Sequence, residues 1–332
     1  MKSSFTLAEL AELFEAQVIG NSQYRVTGAA TAAEAASGDL VFVETENQFA
    51  ACARSGVATI SRLFNFSDPS MVAQAVAAQG LICSEPRLQF LAASRLLSAH
   101  DELADFTNEH AWVAPTASVH PSARLAPGCV IHAGARIEAF AALYPGVTVE
   151  RGGVVGAGCI VRSHAVIGPD ARLDPLCEIG AGSVIGANPQ QFEAANGVWA
   201  RQLNQTRVRL GKRVAVGANT VIESGARRET VIEDDVLIGG QVYVAHDCQL
   251  KRGVLIIGQS GLASGVCVET GAALMGRVMV NVDVNIGAGA LVMATSGVTK
   301  DVTPGARVWG NPARSRNEAL RKLKLRATQQ SE

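Results

Sequence analysis

The sequence predicts a mainly β protein: a left-handed parallel β-helix of hexapeptide repeats, with a small N-terminal α/β domain and a short C-terminal helical tail. Three observations carry this. Large aliphatic residues recur every six positions over most of the chain. Aromatic residues and glycines are segregated: residues 1–112 hold ten aromatics and five glycines, residues 113–308 five aromatics and 27 glycines. Helix-start and turn signals, finally, cluster outside the repeat.

The period begins at Val113 and runs through Val119, Leu125, Ile131, Ile137, Leu143, Val149, Val155, Val161, Ile167, Leu173, Ile179 and Ile185. It resumes at Val208 and continues through Val214, Thr220, Ala226, Ile232, Ile238 and Val244 to Val298, with Thr220 and Ala226 as the departures. Six is neither the helical period nor strand alternation. Repeats this short read as a solenoid, each hexapeptide giving a short strand and a turn. Three hexapeptides close one coil, so each aliphatic stacks on its counterpart eighteen residues away. Small residues, among them Cys129, Cys159, Cys177 and Cys248, stand two positions before the aliphatics and read as buried packing. Gly156-Ala157-Gly158 and Gly287-Ala288-Gly289 are in register with the repeat and read as turns, not dinucleotide loops. The repeat is interrupted at 187–207 by a polar stretch containing Phe192 and Trp199, a length more often functional than accidental.

Residues 1–100 read as an α/β domain. Thr6-Leu7-Ala8-Glu9 is a capping box before Leu10, Leu13 and Phe14. Asp68-Pro69 opens a second helix that Gly80 closes, and a third covers roughly 88–97. Residues 39–43 and 57–60 read as buried strands, and polar 101–112 as a linker. After the prism (113–308), residues 309–332 form a tail whose helix spans 317–326. Arg314, Arg316, Arg321, Lys322, Lys324 and Arg326 make it basic, which suits an acidic partner.

Of 332 residues, 48% are hydrophobic and 18% charged, and the net charge is −1. That balance argues against a nucleic-acid binder and against disorder. There is no apolar stretch of membrane-spanning length and no signal-peptide pattern at the start, so a cytoplasmic location is expected. Seven cysteines without a C-x-x-C pair suggest neither a disulfide framework nor a zinc site. No Walker motif, serine elbow or metal cluster appears. Among the six histidines, His100, His110, His120, His132 and His164 read as surface residues. His246, in Tyr243-Val244-Ala245-His246-Asp247-Cys248, has a carboxylate beside it, but periodicity alone makes it a solvated side chain.

Several motifs resemble the UDP-3-O-acylglucosamine N-acyltransferase family of lipid A biosynthesis. They are Phe5-Thr6-Leu7-Ala8-Glu9-Leu10, Thr27-Gly28-Ala29-Ala30, Gly38-Asp39-Leu40-Val41-Phe42, the run Gly217 to Ala226 and Val244-Ala245-His246-Asp247. The resemblance implies a homotrimer that transfers a 3-hydroxyacyl chain from acyl carrier protein to a UDP-amino sugar, with no cofactor beyond that acyl-carrier co-substrate. It implies His246 as general base, Asp247 as its orienter, and Ser264 where an amide contacts the oxyanion. It implies a uridine-binding N-terminal domain, with Phe42, Asn47 and Phe49 as nucleotide contacts, and Tyr243 and Asp283 near the substrate. The sequence departs from the family pattern at Asp247, at Asn188-Pro189-Gln190-Gln191, at Gly239-Gly240 where the family has Asp-Asn, at Ser264 and at Asp283. Two alternatives follow from those departures: a paralogue acylating another nucleotide sugar on oxygen or nitrogen, and a catalytically degenerate trimeric scaffold.

Overall fold

The computed structural model describes residues 3–62, 78–106, 110–202, 205–312, 314–318 and 321. Two compact units divide the chain, 1–107 and 108–332.

In the first unit, strand β1 (Phe5–Thr6) leads directly into helix α1 (Leu7–Phe14). The capping box forms as a reciprocal pair: the Glu9 N–H donates to Thr6 Oγ1 at 3.2 Å and the Thr6 N–H to Glu9 Oε2 at 2.7 Å. This satisfies two donors that a helix start otherwise leaves open. Helix α1 buries Leu7, Leu10 and Phe14. A five-stranded sheet is built from β2 (Gln17–Ile19), β4 (Gly28–Ala30), β5 (Asp39–Phe42), β6 (Ala58–Ser61) and β7 (Gln79–Ile82), in the order β2-β7-β6-β5-β4, while β3 (Arg25–Val26) pairs with β1. Helix α2 (Glu46–Ser55) packs against β6, and helix α3 (Pro86–Glu102) against β4, β5 and β6.

Three sequence expectations for this unit need correction. Gly80 does not close a helix; it lies within β7, where a Cβ would collide with the Thr59 carbonyl of β6, so the residue serves close strand approach. The supposed linker begins too early, because α3 continues through Asp101 and Glu102 before Leu103 caps it. His100 is not a surface residue: it is buried on α3, with its ring edge-on to Phe5 at 5.1 Å. The helix expected from Asp68 lies outside the described residues.

The second unit is a parallel β-helix of two- to four-residue strands, starting at Trp112–Val113. They stack into three sheets of eleven, ten and nine strands. Register is eighteen residues, as in Leu125↔Leu143 and Ile131↔Val149. Stacked aliphatics form one continuous core with the buried cysteines among them. Burial pushes the Cys248 thiol up to about 12, the chemistry of a packing residue.

The phase assigned to the resumed repeat is wrong between 208 and 226. Leu210, Val216 and Ile222 pair with Leu173, Ile179 and Ile185, so these are the inward residues. Val208, Val214 and Thr220 occupy the corner position two residues earlier, which is why a threonine is tolerated there. A second insertion then separates Ile222 from Ile232, which stacks on Leu210. The interruption is therefore two insertions, and Ala226 belongs to the second. The first is a hairpin of Gln191–Ala195 and Val198–Gln202 with Asn196 and Gly197 both at positive φ, the conformation a two-residue hairpin turn requires. The prism runs slightly past the predicted end: Arg307–Trp309 pairs in parallel with Leu291–Val292, and Arg314–Ser315 then folds back antiparallel. Of the predicted tail helix, 317, 318 and 321 are described and helical, with 316 helical before them; the remainder lies outside the described residues.

Candidate active site

His246 sits in the turn after strand Tyr243–Val244 and is only 7% exposed. The expectation of a solvated side chain fails because the second insertion lies against this turn. At a regular turn the left-handed residue donates its N–H to a carbonyl of the preceding coil, as Gly253 does to Asp234. Here the insertion substitutes side chains for that ladder. The His246 N–H donates to Glu223 Oε2 at 2.9 Å, and the Asp247 N–H donates to Thr230 Oγ1 at 3.0 Å.

Asp247 has φ +65, and Asp shares with Asn an unusual tolerance of that region. An aspartate at this position therefore costs the backbone little. The carboxylate is 1% exposed. Its Oδ1 accepts from the N–H groups of Ala226, Arg227 and Arg228 at 2.9, 3.0 and 3.1 Å. Its Oδ2 accepts from Arg227 Nε at 3.2 Å and lies 3.1 Å from His246 Nδ1. Burial alone would raise this carboxyl, but the three backbone donors and the imidazole hold it well below the usual carboxylate range. An ionised Asp247 favours the tautomer with its proton on Nδ1, which leaves the Nε2 lone pair available as a base.

Glu223 carried no role in the sequence reading, and the structure gives it one. It is 1% exposed, at the end of strand Val221–Glu223, where a bulge beside Gly186 pairs it with Ala187. Its Oε1 accepts the Gln190 N–H at 2.9 Å and the Tyr243 hydroxyl, and its Oε2 holds the His246 amide. Burial, then the Glu223 carboxylate, push the Tyr243 phenol above its ordinary value. One buried carboxylate thus ties together the stem of the hairpin, an outward tyrosine and the backbone of the histidine. The available signal was an acid directly after two aliphatics in Val221-Ile222-Glu223.

Ser264 lies one coil beyond His246. Its carbonyl accepts the Asp283 N–H at 3.0 Å, and the neighbouring Gly265 N–H donates to the His246 carbonyl at 3.0 Å. Asp283 is exposed at φ +56, in the turn column Asp247–Gly265–Asp283, and the structure shows no contact between it and His246. At Gly239-Gly240 the coils crowd: a Cβ on Gly239 would come within 2.5 Å of the Gly258 nitrogen. A side chain there would force the coils apart.

The predicted nucleotide contacts divide. Phe42, at the end of β5, borders a cavity of about 660 Å³ within the first unit, lined also by Glu44, Arg62, Glu85, Arg87 and Leu88. That volume suits a small molecule. Phe49 is not available for stacking: it is 2% exposed, packed from α2 against Val41, Val43, Cys52, Val57 and Ala78. Asn47 is exposed on α2.

No protein-family model matches the chain. Among curated proteins, the UDP-3-O-acylglucosamine N-acyltransferase of Pseudomonas entomophila (strain L48) is 31% identical over 250 residues, 75% of this chain and 70% of that protein. The protein of the same name from Cupriavidus taiwanensis is 32% identical over 270 residues, covering 76% and 72%. Among solved structures, LpxA from Acinetobacter baumannii is 21% identical with a TM-score of 0.50, covering 64% of this chain and 76% of that one, a likeness of fold.

Proposed function

The chain belongs to the UDP-3-O-acylglucosamine N-acyltransferase family and is an acyltransferase, and we propose that it moves a 3-hydroxyacyl chain from acyl carrier protein to the 2-amino group of UDP-3-O-acylglucosamine in lipid A biosynthesis. The observation that carries this reading is the buried His246–Asp247 pair. In the proposed step, Nε2 of His246 takes a proton from the amine as its nitrogen attacks the thioester carbonyl. The new C–N bond forms, the tetrahedral intermediate expels the carrier's thiol sulfur, and the imidazolium returns the proton to it. A general base of this kind contributes about 10²–10⁴-fold. The Ser264 amide is the candidate donor to the oxyanion, since a backbone N–H does not depend on the side chain.

The remaining assignments have separate supports. The cavity beside Phe42 supports nucleotide binding by the first unit. Exposed Leu237, Ile257 and Met279, on successive coils of the prism, support a homotrimer in which such side chains would be covered. Exposed Arg314, Arg316 and Arg321 support docking of an acidic carrier. Among the described residues no helix is long and apolar enough to cross a membrane; a cytoplasmic site of action accords with a carrier-bound donor. Incubation with UDP-3-O-acylglucosamine and a mixed pool of acyl carriers, with mass spectrometry of the products, tests the reading. A new amide bond supports it, an ester product points to the paralogue acting on oxygen, and no product with any acyl carrier refutes it.

A further inference from the structure

The insertion between Ile222 and Ile232 brings to the rim of the His246 turn more charge than the turn itself uses. Its three successive N–H groups are taken up by Asp247 Oδ1. Its two guanidinium groups are each pinned at one edge. Arg227 donates from Nε to Asp247 Oδ2, and its side chain remains 69% exposed. Arg228 donates from Nε to the Asp247 carbonyl at 2.9 Å and from Nη2 to the Gly265 carbonyl at 3.2 Å. Both are therefore fixed on the residue next to His246. The terminal nitrogens of Arg227 and Nη1 of Arg228 have no acceptor among the described residues. The insertion is closed at its base by the Arg207 carbonyl, which accepts the N–H groups of Gly225 and Thr230 at 3.0 and 3.1 Å. Both buried carboxylates here, Glu223 and Asp247, already have donors on each oxygen. Exposed at 227–229 are two guanidinium groups and one carboxylate, Glu229.

We propose that Arg227 and Arg228 form a phosphate-binding fork at the rim of the His246 site. A guanidinium held at Nε has lost much of its rotamer freedom and still presents its terminal N–H groups, the geometry in which arginine grips phosphate oxygens. The ligand is a phosphate ester of a substrate, either the diphosphate of a nucleotide sugar or the phosphodiester of a pantetheine arm. This deepens the acyl-transfer reading and rests on it for its purpose, while its test needs no turnover.

The test is calorimetric titration of the full chain with UDP, uridine, 4′-phosphopantetheine and pantetheine, comparing wild type with Arg228→Gln and Arg228→Lys. Arg228→Gln is expected to weaken a phosphorylated probe about tenfold or more and leave its phosphate-free partner unchanged, with partial recovery in Arg228→Lys. Loss confined to UDP assigns the fork to the nucleotide, and loss confined to phosphopantetheine assigns it to the donor; either upholds the proposal. Equal loss for phosphorylated and phosphate-free probes, or none, overturns it. Should the variants not fold, phenylglyoxal modification of the wild-type protein decides: protection of Arg227 or Arg228 by a phosphorylated probe is expected, and equal labelling with and without it refutes the fork. A His246→Ala protein that keeps full affinity but loses turnover separates this result from the fate of the base.

Discussion

His246 and Asp247 are adjacent in sequence, yet their side chains meet: the left-handed backbone of Asp247 returns its Oδ2 to 3.1 Å from His246 Nδ1. Neighbouring residues on an extended strand would point to opposite faces. The contact exists because the turn conformation and the nest of N–H groups from 226–228 fix the carboxylate.

Replacing the base tests its role most directly. His246→Ala is expected to lower kcat by about 10²–10⁴-fold with little change in melting temperature, because the Glu223 contact is made by the backbone N–H, which alanine retains. Steady-state kinetics and circular dichroism on the same preparation check both halves.

Asp247 has a stabilising role that is separable from catalysis. Asp247→Ala leaves three backbone donors unmatched, and at about 1–3 kcal/mol for a buried orphan group the melting temperature should fall markedly. Asp247→Asn keeps an acceptor oxygen and a residue suited to positive φ, so it should fall less. Because the folded-state carboxyl is held below its unfolded value, its stabilising contribution is present above an unfolded value of about 3.9 and is lost as pH falls below it. Thermal unfolding across acid pH should therefore show a steeper acid loss in wild type than in Asp247→Asn.

Glu223 acts on His246 through its amide, as a positioning residue. Glu223→Gln should lower kcat about tenfold, the scale of one lost charge-assisted hydrogen bond, with KM nearly unchanged. Tyr243→Phe, which leaves the His246 contact in place, should have the smaller effect. A fall in kcat/KM through KM alone would contradict positioning.

The two phenylalanines of the first unit should respond oppositely. Phe42→Leu should weaken UDP binding and leave stability near wild type, whereas Phe49→Leu should cost about 1–3 kcal/mol of stability and leave affinity unchanged in the folded fraction. Titration calorimetry and urea unfolding separate the outcomes.

Coil crowding predicts a further destabilisation. Gly239→Ala places a methyl 2.5 Å from the Gly258 nitrogen, and about 1–3 kcal/mol should be lost in thermal unfolding.

The prism was legible because its period is imposed by stacking, which every coil repeats. The site was legible only in part. His246 and Asp247 were visible through motif resemblance, but the burial of His246 was not, since it comes from an insertion whose length disguised itself as a phase shift. Thr220 and Ala226, the two misfits in the resumed repeat, were its trace. Glu223 escaped notice because a carboxylate that follows an inward aliphatic normally faces water; only the bulge at Gly186 and the hairpin stem enclose it. Phe49 failed for the opposite reason: an aromatic on a helix can face either way, and its buried face became clear only once β5 and β6 were in place. Gly80 signals a helix end in sequence, while strand proximity, a tertiary fact, is what demands it.

The position of the His246 turn along the stack has a kinetic meaning. In its sheet, six strands precede Tyr243–Val244 and three follow it. Each coil of such an array touches only its neighbours, so unravelling proceeds from an end and must consume whole coils before it reaches the middle. Amide protons at Val244 and Leu262 should therefore exchange with solvent far more slowly than those near Val113 or Val298. The histidine turn, interrupted as its local backbone ladder is, survives end-fraying because other coils must melt first.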